Sequence, residues 1–126
     1  MTAIDKVGLL VVRDGKILLC RKRQGTQLLI LPGGKREPGE DDETCLRREL
    51  AEEIGNVSYS KFVYVDRYQS ANVKIALYQA EMTGDPAPQA EIAELVWFAF
   101  KDDWLLLPPS LRELIFPDIQ ERGLWV

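Results

Sequence analysis

The sequence contains no histidine at any of its 126 positions. Histidine is the side chain that titrates nearest neutral pH, and it is a frequent nitrogen ligand for zinc and iron. Any metal ion must therefore be held by oxygen atoms, and any catalytic base must be a carboxylate, a lysine, a tyrosine or metal-bound water. Chemistry that depends on an imidazole is excluded.

Cysteine is also scarce, since only Cys20 and Cys45 are present. They lie in a predicted strand and a predicted helix, and they lack the close spacing of a metal knuckle or a redox pair. We interpret both as reduced thiols of the core. A chain of this length, with 46% hydrophobic residues, can bury one core and is too short for two ordinary domains, so we predict a single domain over residues 1–126.

Long hydrophobic runs are missing as well. No stretch of about eighteen apolar residues occurs, which argues against a membrane span. The segment Met1–Leu10 is interrupted by Asp5 and Lys6 and has no signal-peptide cleavage pattern. We therefore expect a cytoplasmic protein without a membrane partner.

The charges are unevenly distributed along the chain. Residues 1–36 carry eight Lys or Arg against two Asp, whereas residues 37–126 carry eight against eighteen Asp or Glu. The basic excess is a short cluster, Arg21, Lys22 and Arg23, together with Lys35 and Arg36. A small polyphosphate bridged to a metal ion fits this mixture better than a nucleic-acid duplex, which favours a large basic face.

The first third of the chain predicts strands. Residues 7–12 are almost all apolar, and the turn at Arg13–Lys16 contains Asp-Gly, which favours a β-hairpin. A second strand is predicted over Ile17–Arg23, and a short extended stretch over Gln27–Leu31 leads to a break at Pro32-Gly33-Gly34.

The middle of the chain predicts a helix that starts with acids at Glu40–Glu43 and runs to Ile54, where Gly55 ends it. Leu46, Leu50 and Ile54 recur at intervals of four and should pack against a sheet.

Further strands and a last helix are predicted after the middle helix. Paired strands are expected over Tyr59–Tyr68 and Val73–Met82, a loop over Thr83–Gln89, and a buried strand over Leu95–Phe100. Ser110 is expected to cap a helix that Pro117 kinks or ends. The order of elements predicts an α/β architecture with a mixed β-sheet.

The last turns of the middle helix carry Glu49, Glu52 and Glu53 on one face. These carboxylates repel one another and oppose the helix dipole, so something outside the helix should offset them. One interpretation is a solvated acidic face with ion pairs to Arg47 and Arg48. The other is that the carboxylates bind Mg²⁺ or Mn²⁺, which prefer oxygen ligands.

The residues around this helix resemble the Nudix box, G-x5-E-x7-R-E-U-x-E-E-x-G-U, in which U is a bulky aliphatic residue. The matching segments are Gly34-Lys35-Arg36-Glu37-Pro38-Gly39-Glu40 and, after seven residues, Arg48-Glu49-Leu50-Ala51-Glu52-Glu53-Ile54-Gly55. Every charged and glycine position agrees. The last aliphatic position is the one departure, because Asn56 occupies it.

The resemblance implies an α/β/α sandwich with a mixed sheet, a central catalytic loop-helix-loop and a C-terminal helix. It implies that Glu49, Glu52 and Glu53 are metal ligands, most strongly Glu49 and Glu53, with the carbonyl of Gly33 as a further ligand for Mg²⁺, for which Mn²⁺ can substitute. Glu40 and Arg48 are expected to interact and to hold the loop against the helix. The implied activity is hydrolysis of a phosphoanhydride by a metal-activated water.

Residues outside the helix complete the expected site. A further loop acid is often used in the family, and Glu91 and Glu94 are the candidates, although either can be ordinary surface charge. Arg21, Lys22, Arg23 and Lys35 are candidates for substrate contacts; the first three can instead protect a strand edge. Tyr64, Tyr68, Tyr78 and Trp97 can stack on a base, but aromatic residues in strands belong to the core more often.

The leading substrate is a nucleoside triphosphate, which can be a damaged one, giving a monophosphate and pyrophosphate. The alternatives are ADP-ribose, a nucleotide sugar or a dinucleoside polyphosphate, and a non-catalytic module that senses a nucleotide. Such modules usually lose box glutamates, and this chain keeps them all. Isomerases of the same fold would need a histidine. We expect a monomer or a homodimer.

Overall fold

The computed structural model of the protein describes residues 4–55 and 57–126, in which there are nine strands and two α-helices. The helices are α1 (Asp42–Glu53) and α2 (Phe116–Glu121). Asn56, where the box departs from its pattern, lies outside the described residues. The strands are β1 (Ile4–Leu10), β2 (Val12–Arg13), β3 (Lys16–Lys22), β4 (Gly33–Lys35), β5 (Ser58–Tyr59), β6 (Val63–Ser70), β7 (Val73–Gln79), β8 (Met82–Thr83) and β9 (Ile92–Ala99).

The strands form three sheets with the orders β4-β1-β7-β6, β2-β3-β9 and β5-β8. β1 lies in the middle of the largest sheet, where it is parallel to β7 and antiparallel to β4. The other strand pairs of the described residues are antiparallel. The predicted mixed sheet is therefore confirmed.

The central strands carry apolar side chains on both faces, as strands covered on two sides must. Leu9 and Leu18 belong to the core that α1 covers with the predicted stripe, Leu46, Leu50 and Ile54. Leu10 and Leu19, each one residue further along, belong to the core on the other face, which Leu111, Ile115, Phe116 and Ile119 cover. Alternation along β1 and β3 thus gives the α/β/α layering that was predicted.

Helix α1 begins two residues later than Glu40. Asp41 is its N-cap, and the Asp41 carboxylate accepts a hydrogen bond from the amide of Thr44 at 2.8 Å. The helix ends as predicted, because Ile54 is the C-cap and Gly55 follows with a φ of +89°. Glu40 is therefore in the loop before the helix, where its side chain is available for other contacts.

The C-terminal helix starts at Ser110, but Ser110 does not cap it; Pro109 occupies the N-cap and makes no side-chain capping bond. Residues Ser110–Ile115 form a π-helical turn, in which the amide of Phe116 donates to the carbonyl of Leu111. Helix α2 then continues directly from Phe116. Pro117 does not end the helix, because α2 continues to Glu121, but the helix changes from π-helical to α-helical geometry at Phe116, immediately before Pro117.

The predicted strands are present with shifted limits. The hairpin at Arg13–Lys16 is confirmed, with positive φ at Asp14 and Gly15. The Tyr59–Tyr68 segment is divided, because β5 pairs with β8 while β6 pairs with β7. β9 starts earlier than predicted, at Ile92, because it follows β3 along most of its length.

None of the helices in the described part of the chain is long and apolar enough to cross a membrane.

Candidate functional site

A cavity of about 480 Å³ lies between β1, β4, the acidic last turn of α1 and the start of the C-terminal helix. Six charged residues line it: Lys6, Lys22, Lys35, Glu49, Glu53 and Glu91. They come from three strands, the helix and the loop before β9. The fold therefore brings together charged residues that are distant in the sequence. Lys6 and Glu91, the most distant pair, are 85 positions apart.

Glu53 is the most deeply buried carboxylate of the cavity, with 3% of its surface exposed. Its Oε1 atom accepts a hydrogen bond of 2.9 Å from the amide of Gly33. Burial, together with the nearby carboxylate of Glu49, raises the pKa of Glu53 to about 8, although the hydrogen bond from Gly33 opposes the shift. Within the described residues no cationic nitrogen lies within 4.0 Å of Glu53. A buried carboxylate of this kind is where a cation would be stabilised.

Glu49 lies one helical turn before Glu53, and its side chain is only 14% exposed. It accepts a hydrogen bond of 3.0 Å from Nη1 of Arg48. Burial raises the pKa of Glu49 while Arg48 opposes that shift. The carboxylate lies against Gly34, where an added Cβ would overlap it. The glycine of the box thus leaves room for this side chain.

Glu52, the third predicted ligand, does not line the cavity. Its side chain is 54% exposed, and one of its oxygens lies 3.6 Å from Nη1 of Arg48. Glu52 is three residues after Glu49 and one residue before Glu53 in the sequence. It therefore lies at the edge of the helix face that carries the other two carboxylates. Within residues 4–55 and 57–126, no group of three or more acidic, cysteine or histidine side chains is arranged to hold a metal ion.

Arg48 connects the loop before α1 to the helix. Its guanidinium donates to both oxygens of Glu40, from Nε at 2.7 Å and from Nη2 at 2.9 Å, and also to the carbonyl of Lys35 at 3.2 Å. Glu40 in turn accepts from the amide of Glu37 at 2.8 Å. The expected contact between Glu40 and Arg48 is thus present, and it closes the loop onto the helix. Neither side chain lines the cavity.

Gly33 brings the backbone to the cavity wall in a conformation that a side chain would prevent. Its φ is +130°, and an added Cβ would overlap the carbonyl oxygen of Val7. This close approach aligns β4 with β1, so that Gly33 pairs with Gly8. The amide of Gly33 consequently points to Glu53.

Three lysines lie at the charged end of the cavity. Lys22 and Lys35 are sequence candidates, whereas Lys6 was missed. Burial and the ammonium groups of Lys22 and Lys35 lower the pKa of Lys6. The sequence feature that could have identified Lys6 is its position as a single lysine next to the long apolar stretch of β1. The strand pattern alone, however, does not show which face of β1 borders a cavity.

The other members of the basic cluster are differently placed. Arg21 forms an ion pair with Glu94 across β3 and β9, and both are absent from the cavity wall. Arg23 follows the end of β3, and its Nε donates to the carbonyl of Ala90 at 3.0 Å. Alternation along the strand therefore separates Lys22 from Arg21 and Arg23.

Glu91 lies at the mouth of the cavity, and its carboxylate is 3.9 Å from Nζ of Lys22. The same two residues also line a second hollow of about 300 Å³, with Arg23 and Gln24. Of the two loop acids considered from the sequence, Glu91 is brought to the cavity and Glu94 is not.

The loop before β9 is attached to the end of α1. The amide of Ala87 donates to the carbonyl of Ile54 at 3.1 Å, and the amide of Gln89 donates to the carbonyl of Glu53 at 3.0 Å. These bonds satisfy carbonyls that a helix end leaves without partners. They also fix Glu91 close to the acidic turn of the helix.

The remaining wall of the cavity is largely aliphatic. It includes Ile30, Leu31, Val73, Ile75 and Leu111, with the hydroxyl-bearing residues Thr26 and Ser110. An aliphatic wall beside a charged end suits a ligand with one apolar and one anionic part.

The aromatic candidates, Tyr64, Tyr68, Tyr78 and Trp97, do not line the cavity in the described structure. Two of them donate hydrogen bonds of 2.6 Å elsewhere: Tyr68 to Asp118 and Tyr78 to Asp42. Tyr68, Tyr78 and Trp97 pack against the two cores, which agrees with the interpretation that strand aromatics usually belong to the core, whereas Tyr64 is 50% exposed.

Comparison with known proteins identifies a family. A family model for the NUDIX domain matches residues 3–114. The 8-oxo-dGTP diphosphatase of Haemophilus influenzae is 43% identical over 58 residues, or 44% of this chain and 42% of that protein. The CTP pyrophosphohydrolase of Escherichia coli is 47% identical over 58 residues, or 44% and 43% of the two chains. The matches thus span less than half of both relatives.

Among solved structures, a nudix hydrolase family member from Chromobacterium violaceum superposes with a TM-score of 0.79 and 22% identity. The match covers 95% of this chain and 79% of that chain. At this identity the likeness concerns the fold alone, and it confirms the predicted α/β architecture with a mixed sheet and a C-terminal helix.

Proposed function

The chain belongs to the Nudix family, and from this premise we propose that it is a divalent-metal-dependent pyrophosphohydrolase. Its substrate in this proposal is a nucleoside triphosphate, which is cleaved to a monophosphate and pyrophosphate. The observation that carries the proposal is the juxtaposition of buried Glu53 and partly buried Glu49 with three lysines in one cavity. Carboxylates suit metal ions and ammonium groups suit phosphates, so the cavity has partners for both.

The residues present fit a divalent cation. Glu53 is buried with no cationic nitrogen within 4.0 Å in the described residues, and Glu49 lies one turn away in the same wall. We propose that both bind Mg²⁺, for which Mn²⁺ can substitute, and that Gly33 contributes its carbonyl oxygen. Glu52 is exposed and joins them in this proposal by a change of rotamer. When bound, such an ion neutralises phosphate charge and acidifies a water molecule.

Side chains of this protein would bind the substrate, accept the proton and position the metal-binding residues. Lys22 and Lys35 bind the phosphate oxygens of the substrate, and the aliphatic wall receives its nucleoside. Glu91, at the mouth of the cavity, accepts the proton from the attacking water. Arg48 and Glu40 act as positioning residues, since their contacts hold the loop and Glu49 in place without lining the cavity.

The names of the relatives support a triphosphate substrate. One matched protein is an 8-oxo-dGTP diphosphatase and the other is a CTP pyrophosphohydrolase. Both names describe removal of diphosphate from a nucleoside triphosphate, and one concerns a damaged base. We therefore place normal and oxidised nucleoside triphosphates ahead of ADP-ribose, nucleotide sugars and dinucleoside polyphosphates.

The test is a substrate panel containing all of these compounds, with Mg²⁺ or Mn²⁺ and with a chelator. We expect hydrolysis of at least one triphosphate, with pyrophosphate as product, and no turnover after chelation. Glu53→Gln should reduce kcat/KM by at least about 10³-fold, because the neutral amide replaces a metal-binding carboxylate. It should keep the fold, since an amide oxygen can still accept from Gly33.

Glu81→Gln is the matched control, because Glu81 is exposed and is not among the residues lining the cavity. Mg²⁺ should raise the melting temperature of the wild type and of this control, but not of Glu53→Gln. Near-normal turnover of folded Glu53→Gln would refute the metal assignment. Tight nucleotide binding without hydrolysis of any compound would instead identify a sensing module.

A further inference from the structure

Lys6 occupies a position in β1 from which its side chain enters the charged end of the cavity. β1 is the second strand of its sheet, with β4 on one side and β7 on the other. Side chains alternate along a strand, so Val7 belongs to the core under α1 while Lys6 and Gly8 face the cavity. At Gly8 an added Cβ would lie against Leu31 and Ile75, which belong to the aliphatic wall of the cavity.

The strand register brings a second lysine to the same place. Lys6 pairs with Lys35 of β4 in the antiparallel register, and Lys22 at the end of β3 lines the same cavity. Like charges in a partly buried site repel each other more strongly than at an exposed surface. Three lysines around one cavity therefore favour the binding of an anion.

The carboxylates of the cavity do not supply that anion directly. In the part of the chain that the structure describes, no carboxylate oxygen lies within 4.0 Å of Lys6 or Lys35, and Lys22 has Glu91 at 3.9 Å. Glu49 and Glu53 attract Lys6 from a longer distance. In the proposed function these two acids are committed to the metal ion, so they cannot also neutralise the lysines.

We propose that Lys6 is a third cationic contact for the phosphate chain and that it biases the site toward triphosphates over diphosphates esterified at both ends. This inference rests on the proposed function. A nucleoside triphosphate has a free terminal phosphate and more negative charge than a nucleotide sugar. Lys22 and Lys35 contact phosphates common to both substrates, whereas Lys6 binds the additional charge of the triphosphate.

The experiment compares the wild type with Lys6→Met, which keeps most of the side-chain length and removes the charge. For the best triphosphate, kcat/KM should fall by about 10-fold or more, mainly through KM, because a hydrogen bond to a charged group is lost. For ADP-ribose the loss should be clearly smaller. Lys6→Arg should restore part of the triphosphate activity, since it returns a cation to the position.

Lys16→Met is the matched control, because Lys16 is an exposed lysine of β3 that does not line the cavity. It should leave both substrates unaffected. An unchanged triphosphate KM in Lys6→Met, or equal losses on both substrates, would overturn the inference. So would a wild type that hydrolyses ADP-ribose and no triphosphate. If Lys6→Met does not unfold cooperatively, the same comparison with Lys6→Gln decides.

A binding measurement separates failure of this inference from failure of the proposed function. Inorganic tripolyphosphate with Mg²⁺ should bind the wild type and Lys16→Met with similar affinity, and Lys6→Met about 10-fold more weakly. If the wild type hydrolyses nothing but this difference is found, the proposed function fails and Lys6 remains a phosphate contact. Equal affinity of all three proteins rejects the role of Lys6 regardless of activity.

Discussion

The guanidinium of Arg48 binds the carboxylate of Glu40 through two hydrogen bonds, from Nε to Oε2 at 2.7 Å and from Nη2 to Oε1 at 2.9 Å. The two residues lie on opposite sides of the N-cap of α1, so this pair joins the loop to the helix. The same guanidinium also donates to Glu49 in the cavity wall at 3.0 Å. A contact outside the cavity thereby determines the position of a residue inside it.

Replacing Arg48 with lysine should weaken both the attachment of the loop to α1 and the positioning of Glu49. Lysine keeps the charge but cannot donate to two carboxylate oxygens in one plane. We expect the melting temperature of Arg48→Lys to fall by roughly 4 °C and kcat to fall more than KM rises. Arg47→Lys is the control, because Arg47 is exposed, pairs with Glu43 and stacks on Phe62, and in the described residues it forms no ion pair with Glu40 or Glu49. Equal melting temperatures and kcat values for the two variants would contradict this prediction.

Because of the ion pair between Arg48 and Glu40, we expect the stability of the protein to depend on pH. Hydrogen bonds from Arg48, and then from the amide of Glu37, lower the pKa of Glu40 from 4.5 to about 2. Between these values the unfolded chain binds the proton more readily than the folded one, so stability falls as the pH decreases. The contribution is complete above pH 4.5 and is lost as the pH falls toward about 2.

Urea unfolding of the wild type and Glu40→Gln at several pH values measures this effect. The amide cannot titrate, so the variant should lose less stability than the wild type between about pH 5 and about pH 3. Glu43→Gln, which removes an exposed acid of the same helix, should follow the wild type. Parallel curves for the wild type and Glu40→Gln would show that the pair does not stabilise the fold through its charge.

Substitution by alanine should have different effects on stability at Gly33 and Gly34, the two adjacent glycines of β4. Gly33→Ala forces a Cβ onto the carbonyl of Val7 at positive φ and should destabilise the protein by about 3 kcal/mol. Gly34→Ala meets only the flexible end of Glu49, which can move. It should therefore lower activity much more than stability. Denaturant unfolding and kcat/KM distinguish these outcomes, and a fully active Gly34→Ala would show that Glu49 need not occupy its present position.

Local sequence signals were sufficient for α1 and its flanking turns. The helix was predicted from an acidic first turn, a stripe of Leu46, Leu50 and Ile54, and a terminal glycine, all of which act within a few residues. Within that acidic turn Asp41 is the cap, because its side chain accepts a hydrogen bond from the amide of Thr44. The family resemblance added the contact between Glu40 and Arg48.

The pairing of strands that are distant in the sequence could not be predicted from local signals. The parallel register of β1 and β7 places Ile4 beside Val73, and no local pattern in either strand contains that information. Lys6 was missed for this reason, since its neighbours Lys35 and Lys22 come from other strands. The separation of Lys22 from Arg21, by contrast, follows from alternation along β3, whereas the ion pair of Arg21 with Glu94 depends on the pairing of β3 with β9.

The loop that carries Glu91 is attached on both sides. The amide of Gln89 is bound to the carbonyl of Glu53, and the carbonyl of Glu91 accepts from the amide of Arg23 at 2.8 Å. Ala90, between them, has a φ of +53°. The backbone at Glu91 therefore cannot swing away without detaching from α1 or from β3, and the reach of this carboxylate is set by its own rotamers. In the proposed function, this carboxylate can therefore accept a proton only from a water molecule within reach of its rotamers, at a position fixed by α1 and β3.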